Sequence, residues 1–347
     1  MRLFSTEMVS RYHPDKYADQ ISDAVLTDIL RKDPSARVAC ETMVKDSTVI
    51  IAGEITTTAK PDYEKIVRTV ADRLNYKVDK IVNLITEQSP EIGNAVDADK
   101  DLGAGDQGMM FGFAVKGGKY YLPYGQEVAI DIIKAIENDI ETNPSSIFLG
   151  DAKTQVTTDL EYPGFVKPVD TILVSVCHRE GLTLQQVRDY VKRLLERSGI
   201  PEAKHLLINP AGTWSFGGPA ADCGLTGRKI VCDQYGGYAP VGGGAFSGKD
   251  PSKVDRSGCY IARRIAVDMV RKHGFENCTV QIAYAIGVSQ PVSVSAFGMD
   301  PDGFRTDVSE EVRQTYDLTP RGITEELGLL KLDYSAISGS NHMICFI

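Results

Sequence analysis

The chain has 347 residues, 42% apolar and 24% charged, so it can bury a large core and divide into about two or three domains. Its formal net charge of −9 argues against general nucleic-acid binding, because polyanions need a basic face, and any phosphate site must gather basic residues locally. No apolar run approaches the length of a membrane span and the amino-terminal residues lack a signal-peptide core, so we expect a cytoplasmic protein that does not enter a membrane.

A helix is predicted to begin at His13-Pro14-Asp15-Lys16, because proline suits the first helical position and acidic residues suit the positive end of the helix dipole. The apolar residues that follow keep helical spacing and mark the buried face: Ala18, Ile21, Val25 and Ile29. Asp15, Asp19 and Asp23 form a second stripe at intervals of four. We expect Asp19 and Asp23 to lie on an exposed acidic face, whereas Asp15 is a candidate functional residue. His13 alone could be a helix cap, a core residue or a site residue.

Two strands, at residues 37–45 and 48–57, are predicted to form a hairpin with a tight turn near Asp46-Ser47. If the hairpin is symmetric about that turn, Glu41 and Glu54 point to the same face. Each glutamate interrupts an apolar run, so each either faces water or is held by a partner. Exposure and a binding role both remain open for this pair.

Further along, helices and strands alternate, and several neighbouring strands have the spacing of hairpins. This arrangement predicts mixed sheets and an α+β fold, although no internal repeat is clear. The segment after Gln88 is polar and acidic without strong periodicity, which is typical of a lid or a disordered loop. Asp151 is predicted to begin a strand that carries a charge pair with Lys153 on one face.

From Asn209 the chain is rich in glycine, and it leads to residues 242–255, GGGAFSGKDPSKVD. Glycines let backbone N–H groups approach an anion, and Lys249 and Lys253 supply positive charge. Asp250 and Asp255 fit beside an anion only if a divalent metal lies between carboxylate and phosphate. We therefore predict a nucleotide polyphosphate bound together with a metal ion.

The same stretch is a near match to a P-loop, since Gly243, Gly248 and Lys249 fit its first part. Asp250 stands where the P-loop has Ser or Thr, and Pro251 prevents an immediate helix. A P-loop is therefore disfavoured, and the remaining alternative is a glycine-rich surface loop.

The single tryptophan and the seven cysteines carry weaker signals. Trp214 could stack on a base, but core packing is the expectation for a lone tryptophan. The cysteines show neither a C-x-x-C pair nor a zinc spacing, so we expect small, reduced core residues.

The chain resembles the S-adenosylmethionine synthetase (methionine adenosyltransferase) family. The matching segments run in the family's order and are residues 13–16, 18–24, 39–42, 53–57, 103–108, 151–153, 217–219, 222–229 and 242–257. The resemblance implies three pseudo-symmetric α+β domains, at residues 1–99, 103–214 and 216–347. It also implies a homodimer or homotetramer with active sites between subunits.

The activity that the resemblance implies is attack of the L-methionine sulfur on C5′ of ATP. The displaced triphosphate is then hydrolysed to pyrophosphate and phosphate. The implied cofactors are Mg²⁺, two ions per site, and K⁺. A sulfur nucleophile needs alignment and a stabilised leaving group rather than a general base, so cations placed in advance are the expected catalysts.

The matched positions imply a role for each site residue. The expected catalytic residues are His13, Lys153, Arg228, Lys229 and Lys249. Residues expected to contact ATP are His13, Asp151, Lys153, Thr213, Trp214, Asp222, Arg228, Lys229, Ala245 and Lys249. Methionine would be held by Glu54, Gln88, Asp222 and Lys253. The metal ligands would be Asp15 and Asp255 for magnesium and Glu41 for potassium.

Two departures from the family's usual pattern flank the site. Arg11-Tyr12 stands where Glu-Gly is usual before the histidine, and Thr213-Trp214 stands where Arg-Phe is usual. A tyrosine in place of a glycine could crowd the site or change the backbone that sets His13. The alternative function is therefore a catalytically silent ATP-binding homologue that acts as a regulatory subunit.

Overall fold

Three four-stranded sheets form the framework of the protein in a computed structural model that describes residues 2–87, 103–161 and 164–347. The strands are β1 (Leu3–Val9), β2 (Arg37–Lys45), β3 (Thr48–Thr56), β4 (Lys80–Thr86), β5 (Gly108–Val115), β6 (Phe148–Asp159), β7 (Val169–His178), β8 (Ala203–Ile208), β9 (Gly224–Leu225), β10 (Asn277–Tyr284), β11 (Ser293–Met299) and β12 (Arg305–Asp307). The helices are α1 (Pro14–Lys32), α2 (Tyr63–Arg73), α3 (Tyr124–Thr142), α4 (Leu184–Arg197), α5 (Ile230–Asp233), α6 (Val254–His273), α7 (Ser309–Thr315), α8 (Pro320–Glu326) and α9 (Tyr334–Ile337).

The first sheet has the strand order β4-β3-β2-β9. Helix α1 precedes the antiparallel β2–β3 hairpin, and α2 connects β3 to the parallel strand β4. Asp46, in the hairpin turn, has a φ of 51°, a left-handed conformation that aspartate tolerates better than most residues. The predicted hairpin is confirmed, with its turn at the expected position.

The same plan recurs in the other two sheets. In the order β1-β6-β7-β8, helix α3 precedes the β6–β7 hairpin and α4 leads to the parallel strand β8. In the order β5-β10-β11-β12, helix α6 precedes the β10–β11 hairpin, and the last strand is antiparallel. The α+β fold with mixed sheets and threefold internal repetition is therefore confirmed, although the residues show no clear repeat.

Each sheet also includes one edge strand from a distant part of the chain. Strand β1 joins a sheet from residues 148–208, β5 joins one from residues 277–307, and β9 joins the sheet of the first hairpin. The three units thus exchange strands. The sequence ranges 1–99, 103–214 and 216–347 stay a prediction.

Helix α1 begins at Pro14, and His13 is its N-cap, with Nδ1 accepting the N–H of Asp15 at 3.1 Å. The predicted apolar stripe is buried, as expected: Ala18, Ile21, Val25 and Ile29. The prediction that Asp19 and Asp23 are exposed is wrong, because both are fully buried. Each carboxylate has a cationic partner, Lys16 for Asp19 and Arg256 for Asp23, which makes burial of the charge possible.

Most of the cysteines are small core residues, as predicted: Cys40, Cys177, Cys232, Cys259 and Cys278 are buried, and Cys223 is half-buried. Cys345 departs from the prediction because it is exposed. Strand β6 begins at Phe148 rather than at Asp151. Within the described ranges, no helix combines the length and apolar character that crossing a membrane requires.

Candidate active site

His13 lies at the start of α1 with its imidazole almost completely buried. Because Nδ1 accepts a backbone N–H, the neutral ring carries its hydrogen on Nε2. That Nε2 has no hydrogen-bond partner among the described residues. Burial, together with the positive charges of Lys229 and Lys153, lowers the pKa of His13 to about 3. The ring is therefore a neutral donor near two lysines.

Asp15 contacts the loop of residues 218–229, which contains β9. Its Oδ1 accepts the N–H of Leu225 at 3.0 Å, and its Oδ2 accepts a hydrogen bond from Nζ of Lys229 at 2.6 Å. Nε of Arg228 lies 3.4 Å from Oδ1. Burial alone would raise the pKa of Asp15, but the hydrogen bonds from Lys229 and Leu225 lower it. Asp15 is therefore an anion held between two cationic side chains.

Asp151 lies on β6, two residues before Lys153, so both side chains point to one face. Its Oδ2 accepts the N–H of Gly218 at 2.9 Å, whereas the buried Oδ1 has no hydrogen-bond partner among the described residues. Burial raises the pKa of Asp151 to about 6, against the opposing effects of Gly218 and Lys153. Asp222, at the other side of the same loop, is exposed and adds to this effect.

Trp214 is only half-buried, so the expectation of core packing is wrong. The backbone N–H of Trp214 donates to Nε2 of His178 at 3.0 Å, and the backbone N–H of His178 donates to the carbonyl of Trp214 at 2.9 Å. The indole Nε1 donates to the carbonyl of Phe216 at 2.9 Å. Backbone contacts thus hold the ring at the surface, next to exposed Thr213.

Tyr12, the residue that departs from the family pattern, packs against the backbone of Gly150. A Cβ at Gly150 would lie 2.7 Å from the tyrosine ring, and the glycine has a φ of 110°. The ring is buried and borders a cavity of about 510 Å³ that Asp151 also lines. Tyr12 therefore fills space beside the predicted ATP residues.

The loop of residues 242–253, which ends at α6, carries the predicted residues Ala245, Lys249 and Lys253. The N–H of Cys40 donates to the carbonyl of Gly248 at 3.0 Å, and the N–H of Asp250 donates to the carbonyl of Val38 at 3.1 Å. Lys249 is thereby paired with Ala39 at the edge of β2. At Lys249 the loop therefore runs alongside strand β2, whereas a P-loop would enter a helix directly after its lysine. This agrees with the rejection of a P-loop.

Two lysine–aspartate pairs hold this loop. Nζ of Lys249 lies 2.5 Å from Oδ2 of Asp255, and Nζ of Lys253 lies 2.6 Å from Oδ2 of buried Asp250. The Asp255 carboxylate packs against Gly244, where a Cβ would approach it to 2.3 Å. Asp250 also accepts hydrogen bonds from Ser252 and Val38, so it anchors the loop.

Glu41 and Glu54 face the same side of the β2–β3 hairpin, as predicted, since Glu41 pairs with Ala52. Partial desolvation and the neighbouring charge of Glu54 raise the pKa of Glu41, while Lys249 and Lys253 act in the opposite direction. Both glutamates are exposed. Two carboxylates so placed favour a nearby cation.

The predicted residues thus form two groups. The first contains His13, Asp15, Asp151, Lys153, Asp222, Arg228 and Lys229, and the second contains Glu41, Glu54, Lys249, Lys253 and Asp255. The two loops meet at Gly227, where a Cβ would lie 2.3 Å from that of Ala245. No hydrogen bond or ion pair joins the two groups within the part of the chain that the structure describes. Gln88 lies outside the described residues.

Three further buried side chains support the site and could not be identified from the sequence: Lys16, Asp233 and Arg256. Lys16 lies 3.0 Å from Asp19 and 2.6 Å from Asp233, and Arg256 contacts Asp23. Only the Lys16–Asp19 pair, three residues apart on a helix, leaves a signal in the sequence. The other partners are more than 200 residues away along the chain.

The donors present suit a magnesium ion that is shared with phosphate rather than caged by protein. The described residues contain no group of three or more His, Cys, Asp or Glu that could hold a metal. Mg²⁺ is commonly bound by one or two carboxylates together with substrate phosphates. Asp15 and Asp255 each offer one such carboxylate, and each is next to a lysine that could turn to phosphate instead.

Comparison with known proteins gives a consistent result over the whole chain. Family models for S-adenosylmethionine synthetase match in three parts, the N-terminal domain at residues 1–98, the central domain at 101–214 and the C-terminal domain at 216–344. A solved structure described as an unusual S-adenosylmethionine synthetase from Campylobacter jejuni is 34% identical, with a TM-score of 0.88. The match covers 99% of this chain and 94% of that one. The chain belongs to the S-adenosylmethionine synthetase family.

Proposed function

We propose that the protein synthesises S-adenosylmethionine from ATP and L-methionine. The methionine sulfur forms a bond to C5′ of ATP as the bond from C5′ to the triphosphate oxygen breaks, and the triphosphate is then hydrolysed to pyrophosphate and phosphate. The observation that carries this proposal is that each glycine-rich loop holds a lysine against an aspartate, Lys229 on Asp15 and Lys249 on Asp255.

These pairs explain how the site would receive a polyanion. Negative charge collects on the leaving triphosphate as the C–O bond breaks, and cations placed in advance stabilise it. One pair of unit charges about 4 Å apart is worth roughly 4 kcal/mol at an effective dielectric near 20. Lys153, Arg228, Lys229 and Lys249 are the side chains that would make such contacts. Mg²⁺, held by Asp15 and Asp255, would neutralise phosphate charge and free both lysines for phosphate.

His13 would contribute a hydrogen bond rather than a proton. The pKa of about 3 keeps the ring neutral at physiological pH, and Nε2–H is the donor that remains available. Its position near Lys229 and Lys153 suits an oxygen of the triphosphate or ribose. Asp151 and Trp214 would contact the nucleoside, and Glu54 and Lys253 would hold methionine with Asp222.

Membership of the family suggests a homo-oligomer with active sites between subunits, and we propose that one subunit supplies the first group and its partner supplies the second. Lys229→Ala and Lys249→Ala then inactivate different halves of each site. Refolded as a mixture, the two variants would form heterodimers with one intact site, restoring about a quarter of the wild-type sites. No recovery in the mixture would place both groups in one subunit.

The direct test of function is a methionine-dependent assay with ATP, Mg²⁺ and K⁺. We expect S-adenosylmethionine, pyrophosphate and phosphate in equal amounts, and activation by potassium that Glu41→Gln shifts to higher potassium concentrations. ATP binding without turnover, unchanged by Tyr12→Gly, would instead support the silent regulatory homologue. Methionine-independent transfer of a phosphoryl group would contradict both.

A further inference from the structure

Asp23 is fully buried on α1 and makes three charge-assisted contacts. Its Oδ1 accepts from Nη1 of Arg256 at 2.7 Å, and its Oδ2 accepts from Nη2 at 2.7 Å. Oδ1 also accepts the backbone N–H of Gly248 at 2.8 Å. The bidentate pair therefore contacts the residue that precedes Lys249.

Arg256, on the first turn of α6, contacts the backbone on the far side of the peptide bond between Gly248 and Lys249. Its Nη1 donates to the carbonyl of Lys249 at 3.3 Å, and its Nε donates to the hydroxyl of Tyr260 at 2.9 Å. The guanidinium also lies 4.2 Å from the ring centroid of Tyr334. These contacts leave the side chain little freedom, and its position determines where the Lys249 carbonyl lies.

The backbone at Gly248 cannot easily compensate for a loss of these contacts. It has a φ of 81°, and a Cβ would lie 1.9 Å from the carbonyl oxygen of Cys40. Its N–H is held by Asp23 and its carbonyl by Cys40. The buried ion pair thus acts together with the pairing to β2 in setting the direction in which Lys249 leaves the backbone.

We propose that the Asp23–Arg256 pair positions Lys249 for the triphosphate, and that both residues act through Lys249 without touching substrate. This inference rests on the proposed function of Lys249 as a phosphate ligand. A buried ion pair is weak evidence for stability, since an apolar replacement is often as stable. Its two contacts to the Gly248–Lys249 backbone give it a geometric role that an apolar pair could not fill.

The test measures binding of tripolyphosphate, supplied with Mg²⁺ as its imido analogue, whose nitrogen bridges resist hydrolysis at the site, by calorimetry in a double-mutant cycle of Asp23→Asn and Lys249→Ala. Asparagine keeps an oxygen for the Gly248 N–H but loses the charge that orients Arg256. We expect Asp23→Asn to weaken tripolyphosphate binding about tenfold in the wild-type background and less than twofold in Lys249→Ala, because residues that act as a unit are not additive.

Asp139→Asn is the matched control, because Asp139 is a buried carboxylate paired with Arg197 between α3 and α4. It should lower the melting temperature and leave tripolyphosphate affinity unchanged. If Asp23→Asn does not fold, Arg256→Lys takes its place, since it keeps the charge and loses the bidentate geometry. Equal effects in both backgrounds, or a folded variant with wild-type affinity, would overturn the positioning role.

The same samples separate this inference from the proposed function. A protein that makes no S-adenosylmethionine but shows the expected coupling keeps the positioning role and loses the enzymatic proposal. A protein that makes S-adenosylmethionine with an unchanged KM and kcat in Asp23→Asn loses the positioning role alone. Absence of tripolyphosphate binding in the wild type overturns the positioning role.

Discussion

Nζ of Lys229 lies 2.6 Å from Oδ2 of Asp15, so a proposed phosphate ligand and a proposed magnesium ligand neutralise each other. A phosphate at Lys229 and a metal ion at Asp15 would each compete with this contact. A divalent cation beside Asp15 and a phosphate beside Lys229 would replace the single ion pair by two new contacts, one from cation to carboxylate and one from lysine to phosphate. With these proposed roles the pair would link metal binding to nucleotide binding, and this link can be measured.

Removal of Asp15's charge is predicted to raise the magnesium requirement. In Asp15→Asn we expect the Mg²⁺ concentration for half-maximal activity to rise at least about tenfold, because one of the few carboxylate ligands is lost. Activity is assayed over a magnesium titration after treatment with a chelator. Asp28→Asn, at a half-buried position on the same helix where the carboxylate pairs with Lys32, is the control. Full activity in excess chelator would contradict the prediction.

Lys249→Ala is predicted to reduce kcat/KM by about 100-fold to 1,000-fold, the usual effect of removing one donor that stabilises developing charge. The measurement is steady-state synthesis of S-adenosylmethionine with a check of the melting temperature. Lys272→Ala is the control, because Lys272 lies at the far end of α6 and pairs with Glu311 of α7. Its kcat/KM should stay within about twofold of the wild-type value. A folded Lys249→Ala variant with nearly normal activity would refute the role of this lysine.

Trp214 is predicted to stack on the adenine, and its uniqueness makes the contact observable. ATP with Mg²⁺ should change the tryptophan emission, whereas tripolyphosphate, which lacks a base, should change it much less. Stacking of a base on an aromatic ring is worth about 1–3 kcal/mol, so Trp214→Ala should raise the KM for ATP roughly tenfold. Trp214→Phe, which keeps a ring, should raise it less. Identical responses to ATP and tripolyphosphate would rule out stacking.

Asp151 is predicted to make stability fall as the pH rises from about 4 to about 6. Burial raises its pKa from 3.8 to about 6, so in this range the folded protein holds a proton that the unfolded chain has lost. Asp151→Asn removes this dependence and keeps an acceptor for the Gly218 N–H. Relative to wild type, the variant should gain on the order of 2 kcal/mol in unfolding free energy between pH 4 and pH 7.

Denaturant titrations at a series of pH values measure this difference. Asp28→Asn serves as the carboxyl-to-amide control at a more exposed position. Parallel stability curves for wild type and Asp151→Asn would show that the carboxyl group titrates normally.

Features that depend on neighbouring residues could be predicted from the sequence. The start of α1 follows from His13 and Pro14, and the shared face of Glu41 and Glu54 follows from a two-residue turn. The closure of α6 at Gly274 follows from a glycine after the last apolar residue, and its φ is 73°. In each case the decisive contact lies within a few residues.

The burial of Asp19 and Asp23 could not be predicted in that way. An aspartate every four residues on a helix has the same pattern whether water or a distant arginine neutralises it. Both carboxylates of α1 instead accept backbone N–H groups from the two glycine-rich loops. Asp19 accepts the N–H of Gly227, and Asp23 accepts the N–H of Gly248. Only the tertiary structure shows that the acidic stripe is an inner surface of the protein.

The distance along the chain between Asp23 and Arg256 has a consequence for biosynthesis, because 233 positions separate them. At about 5–20 residues per second, a ribosome needs on the order of ten seconds or more to produce the arginine after the aspartate. During that time Asp23 cannot be buried with its counter-charge, whereas Asp19 already has Lys16 on the same helix. The ion pair of Asp23 therefore closes only after the last third of the polypeptide has begun to emerge.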